Sequence, residues 1–161
     1  MDERVELREI TEHNRQAVLG LRVTDSQTRF VDGVADSLQE AAEHPELAPR
    51  PWAVHRGDRP VGFVLLADGV PAGNPDIPWP FYLWRMLVDE RFQDHGYGRA
   101  ALDAVLDHLR GRPGARHLVT SVVPGEGSPL GFYLRYGFTD TGAMFDHERV
   151  LRLPVHPAPT P

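Results

Sequence analysis

Gly96 and Gly98 stand one residue apart within RMLVDERFQDHGYGRAALDAVLDHLRGRPG, residues 85–114, between an apolar run that ends at Val88 and a segment patterned like a helix. A strand, a glycine loop and a helix start, in that order, gather unpaired backbone N–H groups and the positive end of a helix dipole at one point. Such a point suits an anion, phosphate above all. Neither glycine has a Cβ to hold a bound group off the backbone, and Arg99 adds a cation at the helix start. A G-x-G by itself is weak evidence, because turns between strands and helices use glycine for conformation alone. Gly96, Gly98 and Ala101 also satisfy a relaxed dinucleotide pattern, G-x-G-x-x-A. That pattern wants its first glycine directly after the strand and an acidic residue closing the next one. Here Asp89 to His95 intervene, and the next strand reads VTSVV.

A second group of residues lies further along, in FYLRYGFTDTG, where Phe132 and Tyr133 precede Gly137 and Phe138. Taken together, VDERFQDHGYGRAAL resembles the acetyl-CoA-binding motif of the GNAT N-acetyltransferase superfamily, Q/R-x-x-G-x-G/A, met as Gln93, Gly96 and Gly98. FYLRYGFTDTG resembles that family's second signature, an aromatic-Tyr pair ahead of a Gly-Phe strand start. The similarity extends from Glu6 to Leu153, and NRQAVLGLRVTDSQTRFV with PVGFVLL is most similar to bacterial spermine/spermidine acetyltransferases.

The resemblance implies a fold, a cofactor and roles. The cofactor is acetyl-CoA. Its pyrophosphate would be wrapped by the backbone from Gln93 through Asp94, His95, Gly96, Tyr97, Gly98 and Arg99 to Ala100. Met86, Leu87 and Val88 would pair with the pantetheine arm, because the two central strands of that family splay apart. Tyr133 matches the general-acid tyrosine that protonates the leaving thiolate, and Phe132 lies beside the cofactor. The family's usual Asn ahead of the last helix corresponds to Glu126, which shifts contacts to Ser128 or to backbone. Ser128 also has a capping role that would account for it alone. Homodimers are common in the family, so a homodimer is expected here.

Acetyl transfer to an aliphatic amine also needs a proton removed, since such an amine titrates near ~10.4. Polyamine acetyltransferases of the family often carry a carboxylate on the strand before the glycine loop, a position held here by Trp84. Asp89, Glu90 and Asp68 are the nearby carboxylates that could relay a proton through water. Asp25, Asp32, Asp36, Glu40, Glu43 and Glu46 form an acidic stretch that would concentrate a cationic amine, though the wet face of an amphipathic helix explains such a stretch equally. Trp79, Phe81, Tyr82 and Trp84 crowd the mouth of the acceptor groove, where an aromatic face can hold an ammonium. Asp25, Phe30, Trp79 and Trp84 are the candidate acceptor contacts. Besides polyamines, the acceptor could be an aminoglycoside-like antibiotic, an amino acid or a protein N-terminus. A non-catalytic acyl-CoA-binding sensor is the reading from another class.

The elements that must position these residues follow from periodicity. Val5 and Leu7 alternate with charges as in a half-buried strand. Thr11 is expected to open a helix bearing Val18 and Leu21, and Asp32 to cap a second with Val34, Leu38, Ala41 and Ala42 on one face, ending by Pro45. PWAVHR and VGFVLLAD flank GDRP as a hairpin. The stretch 69–80, with prolines at 71, 75, 78 and 80, is a loop long enough to suspect function. Phe81 to Val88 is an apolar, aromatic strand. Leu102, Val105, Leu106 and Leu109 then recur at helical spacing. HLVTSVV is a strand, SPLGFYLRYG a short helix capped by Ser128 with Pro129 at its first position, and two strands close the chain. The order β-α-α-β-β-β-α-β-α-β-β predicts an α/β fold with one mixed sheet flanked by helices, a single domain over 1–155 and a frayed tail over 156–161.

Composition narrows the function. A formal charge of -6 and a pI of about 5.7 lack the basic footprint of a nucleic-acid binder and favour cationic partners, amines included. Without cysteine there is no thiol nucleophile, which favours direct transfer of the acyl group to a small-molecule amine. The eight scattered histidines lack metal-site spacing. The N-terminus is charged and no apolar run approaches the ~20 residues of a membrane span, so a cytoplasmic protein without membrane partners is expected.

Overall fold

The computed structural model describes residues 4–25, 27–28 and 33–156. Phe30, the expected cap Asp32 and all but His156 of the expected tail at 156–161 lie outside the described residues. Element order is β1 (Glu6–Glu9), α1 (Arg15–Leu19), α2 (Val34–Glu43), β2 (Pro49–Arg56), β3 (Arg59–Asp68), β4 (Phe81–Val88), α3 (Tyr97–Arg110), β5 (His117–Val122), α4 (Leu130–Tyr136), β6 (Thr139–Phe145) and β7 (Glu148–Pro154). Two 3-10 turns, Pro45–Leu47 and Glu90–Phe92, were not apparent from periodicity, because three residues are too few to show one.

The strands form one seven-stranded sheet in the order β1-β2-β3-β4-β5-β7-β6. Only β4 and β5 run parallel, since α3 carries the chain back between them; every other pair is antiparallel. Both faces are apolar where helices cover them. The α3 and α4 face buries Val64, Leu66, Leu83, Leu102, Val105, Leu109 and Leu151. The α1 and α2 face buries Val18, Val34, Phe63, Leu65, Tyr82 and Trp84.

Two expected helix starts shift. Thr11 opens a turn rather than the helix: its carbonyl accepts from Asn14 and Arg15 N–H, and its own N–H donates to Asn14 Oδ1 at 2.8 Å. The helix begins at Arg15, and Leu21 follows it as a buried loop residue. At α4, Pro129 occupies the cap position, yet Ser128 Oγ still accepts from Leu130 N–H at 3.2 Å.

The long loop at 69–80 is pinched at its base, where Gly69 and Val70 N–H both donate to the Pro80 carbonyl at 2.8 Å. Val70 and Ile77 fold inward, so the loop is a packed cover over the α1 and α2 face of the sheet. Its start is fastened by Asp68, whose carboxylate meets His108 Nε2 at 2.9 Å and Arg112 Nε at 3.2 Å.

Asp89 closes β4. Its carboxylate accepts from Arg22 N–H at 2.8 Å, Arg91 N–H at 2.9 Å and Arg91 Nε at 2.7 Å, and the residue is 1% exposed. Burial pushes its acidity toward weaker values, but the Arg91 side chain and the two backbone donors outweigh that and hold the carboxyl below its usual range. The group is spent on structure rather than held for catalysis. A carboxylate lowered on folding stabilises the fold above its unfolded value near ~3.9 and loses that contribution as pH falls through the lower folded value. Asp89→Asn is expected to cost about 1.5–3 kcal/mol at neutral pH and to flatten the acid limb of stability, measured by urea unfolding from neutral pH downward.

Candidate active site

The sheet opens between β4 and β5. These strands pair only through Tyr82↔Val119 and Leu83↔Thr120, and the buried Thr120 hydroxyl bonds the Leu83 carbonyl at 3.0 Å to close the last rung. On its other side β4 is displaced by a bulge: Leu66 faces Leu83 and Leu65 faces Arg85, so Trp84 is the extra residue. A bulge bends the strand and strengthens its local twist, which accounts for β4 turning away from β5 over its second half. Met86 to Val88 therefore present a strand edge that β5 does not pair with.

A cleft of about 520 Å³ occupies that opening. Met86, Leu87 and Val88 form one wall, Ser128 and Phe132 the other, and the loop from Gln93 through Asp94 to Gly96 with the start of α3 closes the end. Gly96 caps α3 in the left-handed region at φ 82°, where a side chain would be strained. A Cβ on Gly98 would stand 3.2 Å from Phe132 Cζ, inside the cleft. The Gln93 side chain braces the loop, donating to the Val88 carbonyl at 3.0 Å and to Gln27 Oε1 at 2.8 Å, which leaves binding to the backbone. Arg99 and Arg135 line the same end.

These features fit coenzyme A. The α3 N-terminus and two arginines suit its pyrophosphate, the unpartnered edge suits the amides of its pantetheine arm, and Gly98 keeps the passage between them open. The acyl thioester is the activated group that the cofactor supplies when bound.

Not every expected contact reaches the cleft. His95 is exposed and, with Arg56 and Arg59, lines a separate hollow behind the loop. Ala100 faces a groove shared with Arg4 and Val5. Tyr97 contributes to the cleft, but its hydroxyl points to β2 and accepts from Arg56 Nη1 at 2.7 Å. The Ser128 hydroxyl is engaged as a cap and by the Val123 carbonyl at 2.5 Å, and its N–H donates to the Gly125 carbonyl at 3.1 Å, so both donors are spent on the turn. Asp25, an expected acceptor contact, is exposed beside Val23 and Gln27, which line the cleft.

Tyr133 lies behind Phe132, its ring edge-on between Phe132 and Phe138 with centroids 5.3 Å from each. It is 5% exposed, and burial, reinforced by the Tyr82 phenol, raises its pKa well above the ordinary tyrosine value. The phenol therefore stays protonated, as a donor must. Tyr136 is different: its hydroxyl donates to Asp103 Oδ1 at 2.6 Å on the exposed side of α4.

On the α2 side of the opening, Trp84 meets a carboxylate after all. Glu40 reaches in from α2, accepting from the Trp84 indole N–H at 3.2 Å and from Arg85 Nη2 at 3.1 Å. Tyr82 carries Trp79 stacked on its ring at 5.5 Å and hydrogen-bonds Ser121, which donates to Glu148 Oε2 at 3.0 Å. Sequence reasoning missed Gln27, Arg135, Ser121 and Glu148. Arg135 had one usable signal, the bare Gly131 one helical turn earlier, over which its guanidinium folds; the others depend on pairing between distant strands and loops.

Comparison with known proteins accords with this geometry. The Acetyltransferase (GNAT) family model matches residues 7–138. The spermine/spermidine N(1)-acetyltransferase of Bacillus subtilis (strain 168) is 26% identical over 148 residues, covering 91% of this chain and 96% of that protein. Among solved structures, the GNAT domain of S. lividans PAT aligns with a TM-score of 0.69 at 18% identity, covering 93% of this chain and 89% of that one. AAC(6')-Ib in complex with ribostamycin and coenzyme A aligns with a TM-score of 0.72 at 16% identity, covering 94% and 93%. At these identities the structural likeness shows the shared fold.

Proposed function

Since the chain belongs to the acetyltransferase (GNAT) family, we propose that it is an acetyl-CoA-dependent N-acetyltransferase whose acceptor is a small cationic amine, a polyamine of the spermine or spermidine kind first. The observation that carries the acceptor class is Glu40, turned inward beside the bulge with Trp84 against it. Polyamine enzymes of the family often carry a carboxylate on the strand itself; here α2 delivers Glu40 beside Trp84 from outside the sheet. Glu43 and Asp36 extend the acidic surface along α2, and the indole offers its face to an ammonium or its methylene chain. The Bacillus subtilis relative acts on spermine and spermidine by its name, and it aligns over nearly all of both chains.

In this reading each residue group has one task. The α3 N-terminus, Arg99 and Arg135 hold the pyrophosphate; the free edge of β4 orients the pantetheine arm; Phe132 and Phe138 exclude water around the Tyr133 hydroxyl, which donates its proton to the departing sulfur. Glu40 and Trp84 draw the cationic amine to the opposite side of the opening, so that nitrogen and acyl carbon meet within it.

The test is release of free thiol from acetyl-CoA against a panel of polyamines, aminoglycosides, amino acids and peptide N-termini. Polyamines are expected to give the highest kcat/KM, and Glu40→Gln to raise their KM about tenfold, the order expected for one lost charge-assisted contact. A response confined to aminoglycosides would reassign the acceptor. Tight coenzyme A binding with no turnover on any amine would point to a sensor.

A further inference from the structure

We propose that Tyr82, Ser121 and Glu148 form a relay that removes the proton from the acceptor amine, with Tyr82 as the group that touches the nitrogen and Glu148 as the terminal acceptor. The proposal rests on the reading that the protein acetylates an amine.

Three strands bring these groups together: Tyr82 on β4, Ser121 on β5 and Glu148 on β7. They lie where the sheet parts. Tyr82 belongs to the first of the two surviving β4–β5 rungs, and Ser121 follows Thr120, the last β5 residue paired with β4. The direction of the hydrogen bonds is set by the chemistry. A carboxylate only accepts, so Ser121 Oγ spends its proton on Glu148 Oε2. Its lone pair must then take the Tyr82 proton, and the two hydroxyls are in close contact. Tyr82 thus donates toward Ser121 and keeps a lone pair on its oxygen to accept a proton from another group.

Balanced, the step breaks one N–H bond of the amine and forms an O–H bond at Tyr82. The Tyr82 proton passes to Ser121 and the Ser121 proton to Glu148, whose carboxylate becomes a carboxylic acid. No further reactant is consumed, and exchange with solvent restores the carboxylate. An ammonium near ~10.4 is a weak acid with no lone pair to attack with, so the relay takes its proton first and the neutral nitrogen then bonds to the acyl carbon.

The surroundings suit this use. Among the described residues, the charged and titratable groups facing Tyr82 are Glu148 from β7, Arg85 from its own strand and Glu40 from α2. The Tyr133 phenol from α4 is close enough that Tyr82 influences its ionisation. Two phenols therefore approach the opening from opposite faces of the sheet, one placed to give a proton to sulfur and the other to take one from nitrogen. Tyr82 is 5% exposed and covered by Trp79, so a phenylalanine would pack as well there. A buried polar chain costs desolvation that apolar residues would avoid, and here it has a use that repays it.

Variants at the three residues test the relay. Tyr82→Phe and Glu148→Gln are expected to lower kcat about 10²-fold with amine KM changed less than about threefold. Ser121→Ala is expected to do the same, whereas Ser121→Thr, which keeps the hydroxyl on a β-branched residue suited to a strand, restores the rate. In Glu148→Gln the remaining rate should climb about tenfold per pH unit toward the amine's own titration, because only the free neutral amine reacts. A readout without cofactor or amine is the phenolate absorbance titration of the protein alone: losing the Glu148 charge should let Tyr82 ionise at lower pH, and Tyr82→Phe should remove that transition. Unchanged kcat and pH profile in both Tyr82→Phe and Glu148→Gln, with the wild type active, would overturn the relay and leave the acetyltransferase reading standing. A pH limb that moves in Glu40→Gln instead would transfer the base to Glu40 and likewise overturn it. Silence of the wild type on every amine would sink the acetyltransferase reading first, and the relay with it.

Discussion

Tyr133→Phe is expected to lower kcat by roughly 10²–10⁴-fold, the range for loss of a positioned general acid, with coenzyme A affinity and thermal stability unchanged. The geometry explains why the effect should be confined to turnover. The ring contributes its packing through edge contacts with Phe132 and Phe138, and these survive removal of one oxygen. Burial already keeps the phenol protonated across the neutral range, so the substitution changes no charge. It removes a single donor at the place where negative charge would build on a leaving sulfur. Steady-state thiol release gives the rate, and calorimetry with coenzyme A gives the affinity. A fall in both together would mean that Tyr133 shapes the cleft rather than serving its chemistry. Tyr136→Phe is the control: its hydroxyl faces Asp103 on the outer side of α4, and the rate should not follow it.

Gly98→Val is expected to weaken coenzyme A binding by at least about 10²-fold, equivalent to losing one or two charge-assisted hydrogen bonds at ~1.5–3 kcal/mol each. The first atom of any side chain there would already press on Phe132 at 3.2 Å, and the branches of valine would stand in the passage between the pyrophosphate end and the arm. The position is helical and has no positive φ, and the helix propensity of valine is no lower than that of glycine, so the substitution costs the fold little. Calorimetry should register little heat while the melting transition stays cooperative. Full affinity in Gly98→Val would remove the cleft at the α3 start as the cofactor site.

Much of this was legible because it is written locally. Each helix and strand announced itself through its own period, and β4 ran over Phe81 to Val88 as its aromatic, apolar run predicted. The glycine loop and the Tyr133 signature were likewise short strings whose meaning depends on neighbours in the chain. What lay beyond reach was every feature made by residues far apart. Asp89 looked like a carboxylate at the edge of the site, and only the packing of the Arg22 segment against it shows a structural bolt. Trp84 looked like a missing carboxylate, and only α2, lying across the sheet, shows Glu40 reaching in beside it.

By itself, then, the amino-acid order determined the succession of elements, the faces they bury and the turn built for an anion, because periodicity, capping and the missing glycine side chains act over a few residues. Tertiary structure alone decided that the sheet splits after Leu83, that β7 enters between β5 and β6, and that Tyr82, Ser121 and Glu148 meet. Those outcomes depend on strand register across long separations, where one bulged residue redirects a whole edge, and no local pattern in the chain encodes the partner it will find.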